Sequence, residues 1–232
     1  LFRSNGLVSV FSEASGYKCA LSVYSKSLSM KYRWKTAQYY GIASAVSEDG
    51  RTCAAVVVCN EHEGITGKIV YFNLEKEGVE KSVDLGTLLP LDIWETDSGF
   101  IVLTDGGALS FDLEGNIKGR CDFEGKKTVG YAADQNGGVF VAIDSESVSA
   151  RYELLHLDSN AFRTGSRHVL SDIFSISSCS GLLAMHTGTG IDVYDEKLDL
   201  KRIITPDGKI EKVVIIAEGV VVMVSAEEVL TA

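Results

Sequence analysis

Four histidines, His62, His156, His168 and His186, have the widest chemical reach in this chain, and their spacing argues against a shared task. None stands at the HxH or HExxH interval that lets one element present two imidazoles to zinc. "NEHEG" at 60–64 gathers Glu61, His62 and Glu63, but a metal there needs further ligands from elsewhere, so the stretch reads as solvated loop charge. His156 in "ELLHLD" reads as a satisfied sheet residue, and His186 before "TGTG" as a partner for nearby backbone. No GxSxG elbow is present to expose a serine nucleophile. "GTG" at 188–190 is not followed by a helix, which a phosphate cradle requires. The acids of "SEDG", "TDSG" and "TDGG" fall where Asp and Glu shape turns. "DLEGN" at 112–116 has too few acids for a calcium loop.

Cys19, Cys53, Cys59, Cys121 and Cys179 are odd in number, with no CxxC. They signal neither a zinc site nor a disulfide framework. Cys53 and Cys59 lie six apart in "CAAVVVC", about 20 Å along a strand and too far for a mutual bond. A quinone site of the dehydrogenase kind asks for adjacent cysteines and a stacking tryptophan, and no adjacent pair exists. The residues therefore predict no catalytic group, no metal and no cofactor.

Charge narrows the partners. Twenty-two Lys and Arg against 32 Asp and Glu give a net charge of −10, which repels nucleic acid. The alternating "KYRWK" at 31–35 puts Lys31, Arg33 and Lys35 on one strand face and reads as a solvated face. No stretch approaches the roughly 20 apolar residues of a membrane span. "VVIIAEGVVVMV" at 213–224 is broken by Glu218-Gly219 and reads as a buried hairpin, so no membrane insertion is expected of this segment.

Such residues must be positioned by short strands. "IVLTDGGALSFDLEGNI" at 101–117 is two apolar runs around a Gly turn, and "LAMHTGTGIDVYDEKLDL" at 183–200 repeats its layout. An aromatic or apolar residue followed by Ser, Asn or Asp ends a strand at Tyr24-Ser25, Phe72-Asn73, Phe111-Asp112, Leu157-Asp158 and Tyr194-Asp195, at intervals of 48, 39, 46 and 37 residues. A Gly-bearing turn precedes an apolar strand in each interval. Four strands in about 40–45 residues is the period of a β-propeller blade. The expected fold is all-β: a single propeller domain over 1–232 built of four-stranded antiparallel blades, about five in number or an arc of a larger ring. Its units fall at 1–38 (partial), 39–88, 89–127, 128–171, 172–209 and 210–232 (partial). The first resembles the last three strands of a blade and the last the first two. A second strand present at both ends ("LVSVFS" and "VVVMVS") favours the arc, whose open edges make a dimer possible.

"GYKCALSVYSKSLSMKYRW", "YYGIASAVSEDGRTCAAVVV" and "GKIVYFNLE" within 16–75 resemble a family of unknown function from Gram-positive gut anaerobes. Its members look like a membrane anchor followed by a propeller with quinoprotein- and WD-type repeats. The resemblance runs more weakly to the C-terminus through "IDVYDEKLDLKRI". It implies an extracytoplasmic, membrane-tethered setting, and it transfers no catalytic residue.

The loops entering the innermost strands carry Tyr39, Tyr40, Trp94, Tyr131 and Phe174, with Asp92 and Asp172 among them. These aromatics form the candidate binding face, since aromatic anchors favour interfaces. Packing between blades is the plainer reading of each taken singly. The expected function is a non-enzymatic, extracytoplasmic interaction module for a protein or a cell-envelope glycan. The alternative is a cofactor- or metal-dependent propeller enzyme with its site in a central channel.

Overall fold

The structure is a computed structural model, describing residues 6–61, 64–134, 136–147, 149–216, 219–226 and 228–232. Twenty-two strands form six antiparallel sheets, with no α-helix among the described residues. His62, Glu63 and Glu218, each named above, lie outside that range.

Residues 1–122 make one compact unit. Its first sheet pairs β1 (Val8–Ala14), β2 (Tyr17–Tyr24) and β3 (Met30–Thr36) in chain order. The second pairs β4 (Tyr40–Val46), β5 (Thr52–Glu61), β6 (Gly64–Asn73) and β7 (Lys81–Gly86). The third pairs β8 (Pro90–Thr96), β9 (Gly99–Thr104), β10 (Gly107–Asp112) and β11 (Ile117–Asp122).

Residues 123–232 make the other unit. β12 (Thr128–Ala133), β13 (Val139–Asp144), β14 (Tyr152–Leu157) and β15 (Arg163–Val169) form its first sheet. β16 (Ile173–Cys179), β17 (Leu182–Thr187), β18 (Gly190–Tyr194) and β19 (Leu200–Ile204) form the next. β20 (Lys212–Ile215), β21 (Val221–Val224) and β22 (Val229–Thr231) form the last. The final segment thus has three strands where two were expected. The terminal segments form two separate sheets, six sheets in all, and the all-β fold of antiparallel sheets of up to four strands is as expected.

The two near-copies in the sequence are the hairpins joining second and third strands. Thr104 Oγ1 donates to Gly107 O at 2.8 Å, and Thr187 Oγ1 donates to Gly190 O at 3.1 Å. Gly99 has φ +151°, and a Cβ there would lie 2.0 Å from the Phe111 carbonyl, so glycine alone fits where β9 starts against β10. The aromatic–polar marks are explained by the next hairpin. The Asp112 carboxylate accepts from Asn116 N at 2.7 Å, Asp158 from Asn160 N at 2.9 Å, and Asp195 from Lys197 N at 3.0 Å. Each side chain closes a turn while the preceding residue stays in the strand.

Packing explains why the middle strands carry apolar residues at adjacent positions. All six residues of β9 are buried, so neither face of that strand meets solvent. One seam in the first unit holds Val56, Ile69 and Tyr71 against Ile93, Phe100, Val102 and Phe111. Another holds Leu21, Val23 and Tyr32 against Val57, Val70 and Phe72. In the second unit Phe140 and Leu154 meet Leu183, Met185 and Tyr194, and Ala184, Ile191 and Val193 meet Val213, Ile215 and Met223. Each large side chain so buried contributes about 1.5–3 kcal/mol.

Orientation fixes which strand is innermost. In the second unit β12, β16 and β20 lie side by side and parallel: Ser178 Oγ donates to Ala133 O at 2.6 Å, and Ser175 and Ser177 Oγ accept from Val213 and Ile215 N at 2.9 and 3.1 Å. β1 instead runs antiparallel to β4, with Ser44 Oγ 2.9 Å from Ser9 Oγ and Phe11 beside Gly41. β1 therefore has the direction of β5 rather than that of β4. Cys19, Cys53, Cys59 and Cys179 are buried free thiols, whereas Cys121 is half-exposed.

Candidate binding surfaces

Each unit carries part of the predicted aromatic set. Tyr39 precedes β4 and is half-buried, its ring 6.2 Å from Trp34 and inclined by 30°. It packs on the seam between the first two sheets. Tyr40, the first residue of β4, is 52% exposed, and Lys18 Nζ stands 4.5 Å over its ring. Trp94 is half-buried within β8, opposite Ile101. In the second unit Tyr131 is half-buried within β12, opposite Val141. Phe174 is 62% exposed near the start of β16. Trp94, Tyr131 and Phe174 thus belong to strands, which begin earlier than the alternation suggests. Tyr40 and Phe174 present open rings, while the other three are half-buried.

Phe174 has a companion that sequence reasoning placed differently. Its ring lies 5.3 Å from that of His186, tilted by 45°. His186 Nδ1 is buried without a hydrogen-bond partner, so the expected bond to backbone is absent at that nitrogen. Burial lowers the imidazole's pKa, which favours the neutral ring. The pairing follows from the register, with Ser175 opposite His186 after a bulge at the start of β16. Together these groups offer an aromatic surface with one unpaired ring nitrogen behind it.

A cleft of about 380 Å³ in the second unit has the polar side chains that a catalytic reading would choose, among them Asp134, His156, Thr164 and Glu196. Their bonds point inward. The Asp134 carboxylate accepts from Gly181 N at 2.9 and 3.1 Å, joining the end of β12 to the β16–β17 turn. Asn136 Nδ2 donates to Glu196 at 2.9 Å. His156 stacks on Phe140 at 4.5 Å, with Nδ1 2.8 Å from Thr164 Oγ1. Burial lowers the His156 pKa against the opposing pull of Glu196, Asp134 and Asp158. This is a latch between two sheets, and His156 is the satisfied residue expected of it. Among the described residues no cluster of three His, Cys, Asp or Glu could hold a metal ion.

Glu153 is a second buried carboxylate of the same unit. Its carboxylate meets Lys126 Nζ at 3.2 Å and the Arg163 guanidinium on its other oxygen. Burial raises its pKa, but the Lys126 hydrogen bond and both positive charges outweigh this and hold it below the ordinary glutamate range.

Solved structures repeat this arrangement of sheets. BamB from Moraxella catarrhalis matches with a TM-score of 0.63 at 14% identity, over 99% of this chain and 70% of that one. The Pan2 WD40 domain of Neurospora crassa matches at 0.59 and 12%, over 96% and 73% of the two chains. The C-terminal WD40 domain of Sif2 matches at 0.52 and 11%, over 93% and 75%. At such identities the likeness establishes an all-β propeller fold and is silent on activity. No curated protein matches the chain. Residues 2–231 match the family of unknown function DUF5711, and the chain belongs to that family.

Proposed function

We propose that the chain is a single non-enzymatic propeller module that binds a protein partner through an exposed aromatic at the start of an inner strand, Tyr40 of the first unit or Phe174 of the second, in an extracytoplasmic, membrane-tethered setting. The observation that carries the reading is the contrast between two kinds of surface. Tyr40 and Phe174 leave 52% and 62% of their area open. The polar groups of the cleft, by contrast, are spent on one another and on backbone. Large rigid rings at strand starts suit a protein interface, where aromatic anchors carry much of the energy. The resemblance of residues 16–75 to anchored propellers supports the setting.

The test places a photo-crosslinking benzoylphenylalanine at Phe174 or Tyr40 in the full-length protein in its native cells, with exposed Leu170 and Leu28 as control sites. One discrete protein adduct from Phe174 or Tyr40, absent from the controls and lost on Phe174→Ala or Tyr40→Ala in the untagged competitor, is expected. Adducts from all four sites alike, none from any, or binding of an envelope glycan at the same rings would overturn the protein-partner reading. A turnover abolished by His186→Ala in a folded chain would sink the non-enzymatic one.

A further inference from the structure

Charge is distributed unevenly along the chain. Residues 1–38 hold six Lys and Arg against one Glu, whereas the remaining 194 residues hold 16 against 31. Much of this positive charge lies on β3, the outer edge of the first sheet. Lys31, Arg33 and Lys35 are exposed at alternate positions, and so share one face of the strand. The intervening Tyr32 and Trp34 turn to the core, where their rings lie 5.6 and 5.0 Å from Phe72.

The other outermost strands supply an internal control, because they carry cations as well. Lys81 on β7 donates to the Glu114 carbonyl. On β11 Lys118 donates to Ser98 Oγ at 2.6 Å and Arg120 pairs with Asp122 at 2.9 Å. On β15 Arg163 pairs with Glu153, and Arg167 donates to Leu198 O at 3.0 Å. On β19 Lys201 pairs with Asp195 at 2.6 Å and Arg202 donates to Gly219 O at 3.0 Å. Every one of those cations is engaged within the protein. On β3, among the described residues, Lys31 and Arg33 have no ion pair or hydrogen bond, and Lys35 Nζ stands only over the exposed Tyr17 ring at 5.4 Å. Lysines on open edges do discourage self-association. That purpose is equally served when the cation is tied down, so it leaves the free row on β3 unexplained.

We infer that the outer edge of β3 takes up an extended acidic peptide as an added strand, its Asp or Glu at alternate positions opposite Lys31, Arg33 and Lys35. The geometry matches on both counts. An unpaired edge offers backbone donors and acceptors to an incoming chain. Residues two apart on any strand repeat at about 6.8 Å, so charges on guest and host fall in step. Across the sheet, Arg33 lies opposite Ser22 and Ser22 opposite Val10, which puts an apolar side chain, 43% exposed, on the same face as the cations. The inference goes beyond the aromatic surface proposed above and does not depend on it.

Fluorescence anisotropy with a labelled heptapeptide, Thr-Glu-Thr-Glu-Val-Glu-Thr, tests this on the whole chain, in about 50 mM salt so that screening does not hide the contacts. Three opposed charge pairs predict that Lys31→Ser, Arg33→Ser and Lys35→Ser together weaken binding by roughly tenfold or more. Phe174→Ala and Tyr40→Ala should leave it unchanged, which separates this surface from the proposed function. An isomer with its three glutamates contiguous should bind more weakly. N-methylation of alternate amides should abolish binding on one edge of the peptide and not on the other. Should the triple variant fail to fold by circular dichroism, Arg33→Ser alone carries the same comparison. Unchanged binding by the folded variant, equal binding of the contiguous isomer, or equal binding of an oligothymidylate would overturn the proposal.

Discussion

Tyr71 gives a sharp test of the seam between the second and third sheets. The residue is 2% exposed on β6, and its ring meets Phe100 edge-on at 6.0 Å and 66°. Its hydroxyl oxygen is buried and has no hydrogen-bond partner. Burial, with a smaller contribution from the Asp112 charge, raises its ionisation far above the ordinary phenol range, so the group stays neutral. A buried hydroxyl without a partner costs about 1–3 kcal/mol. Tyr71→Phe removes that oxygen and keeps the ring, so the substitution should stabilise the unit by about 1–2 kcal/mol. Tyr71→Ala removes the ring as well and should cost about 3–5 kcal/mol. The assay is convenient because Trp34 and Trp94, the two tryptophans of the chain, both lie in residues 1–122. Tryptophan fluorescence in a urea titration therefore follows the unit that contains Tyr71. A higher midpoint at unchanged slope is expected for Tyr71→Phe. A lower midpoint would show that the hydroxyl earns a bond in the folded state, and would refute the argument.

Two further predictions concern an ion pair within one sheet and a close approach between two. Glu153 has a depressed pKa in the fold, so its contribution is present above the unfolded glutamate range and is lost as pH falls through the lower folded value. Glu153→Gln should cost about 1–3 kcal/mol at neutral pH, the upper part of the range for a buried pair being discounted because the Arg163 side chain is 45% exposed. Circular dichroism melts from pH 7 to 3 should show a flatter acid limb for the variant, and equal acid slopes would contradict the assignment. Gly41→Ala puts a methyl group 2.3 Å from the Phe11 ring, so a loss of about 1–3 kcal/mol is expected in the same tryptophan-monitored titration. Adding Phe11→Leu should recover part of it, and no recovery would mean that the clash is elsewhere.

The parts of this architecture that the sequence makes legible are those written in neighbouring residues. Asp112, Asp158 and Asp195 close turns within four positions of themselves, and that is why an aromatic–Asp mark repeats visibly along the chain. The hairpins at Thr104 and Thr187 are local in the same sense. β22 is three residues long, too short for alternation to register, and it went unread. The Asp134–Gly181 bond spans 47 residues, and nothing near either end announces the other. The candidate aromatics show the same limit. Residue type marks all five as anchors, but whether a ring is open, as at Phe174, or stacked, as at Tyr39, depends on what a neighbouring sheet brings against it.

The separation between what holds a sheet and what joins sheets has a kinetic consequence. The widest backbone pairing given by the registers is Thr52 with Asn73, 21 residues apart. Every other described ladder closes over a shorter span, so each sheet is assembled from one contiguous stretch of chain. For an all-β protein this is a low contact order, and loop-closure entropy, the term that slows most β folds, stays small. Sheets can then form one after another as the polypeptide leaves the ribosome. Only side-chain links such as Ser175–Val213 and Ser177–Ile215, 38 residues apart, must wait for the next sheet to arrive.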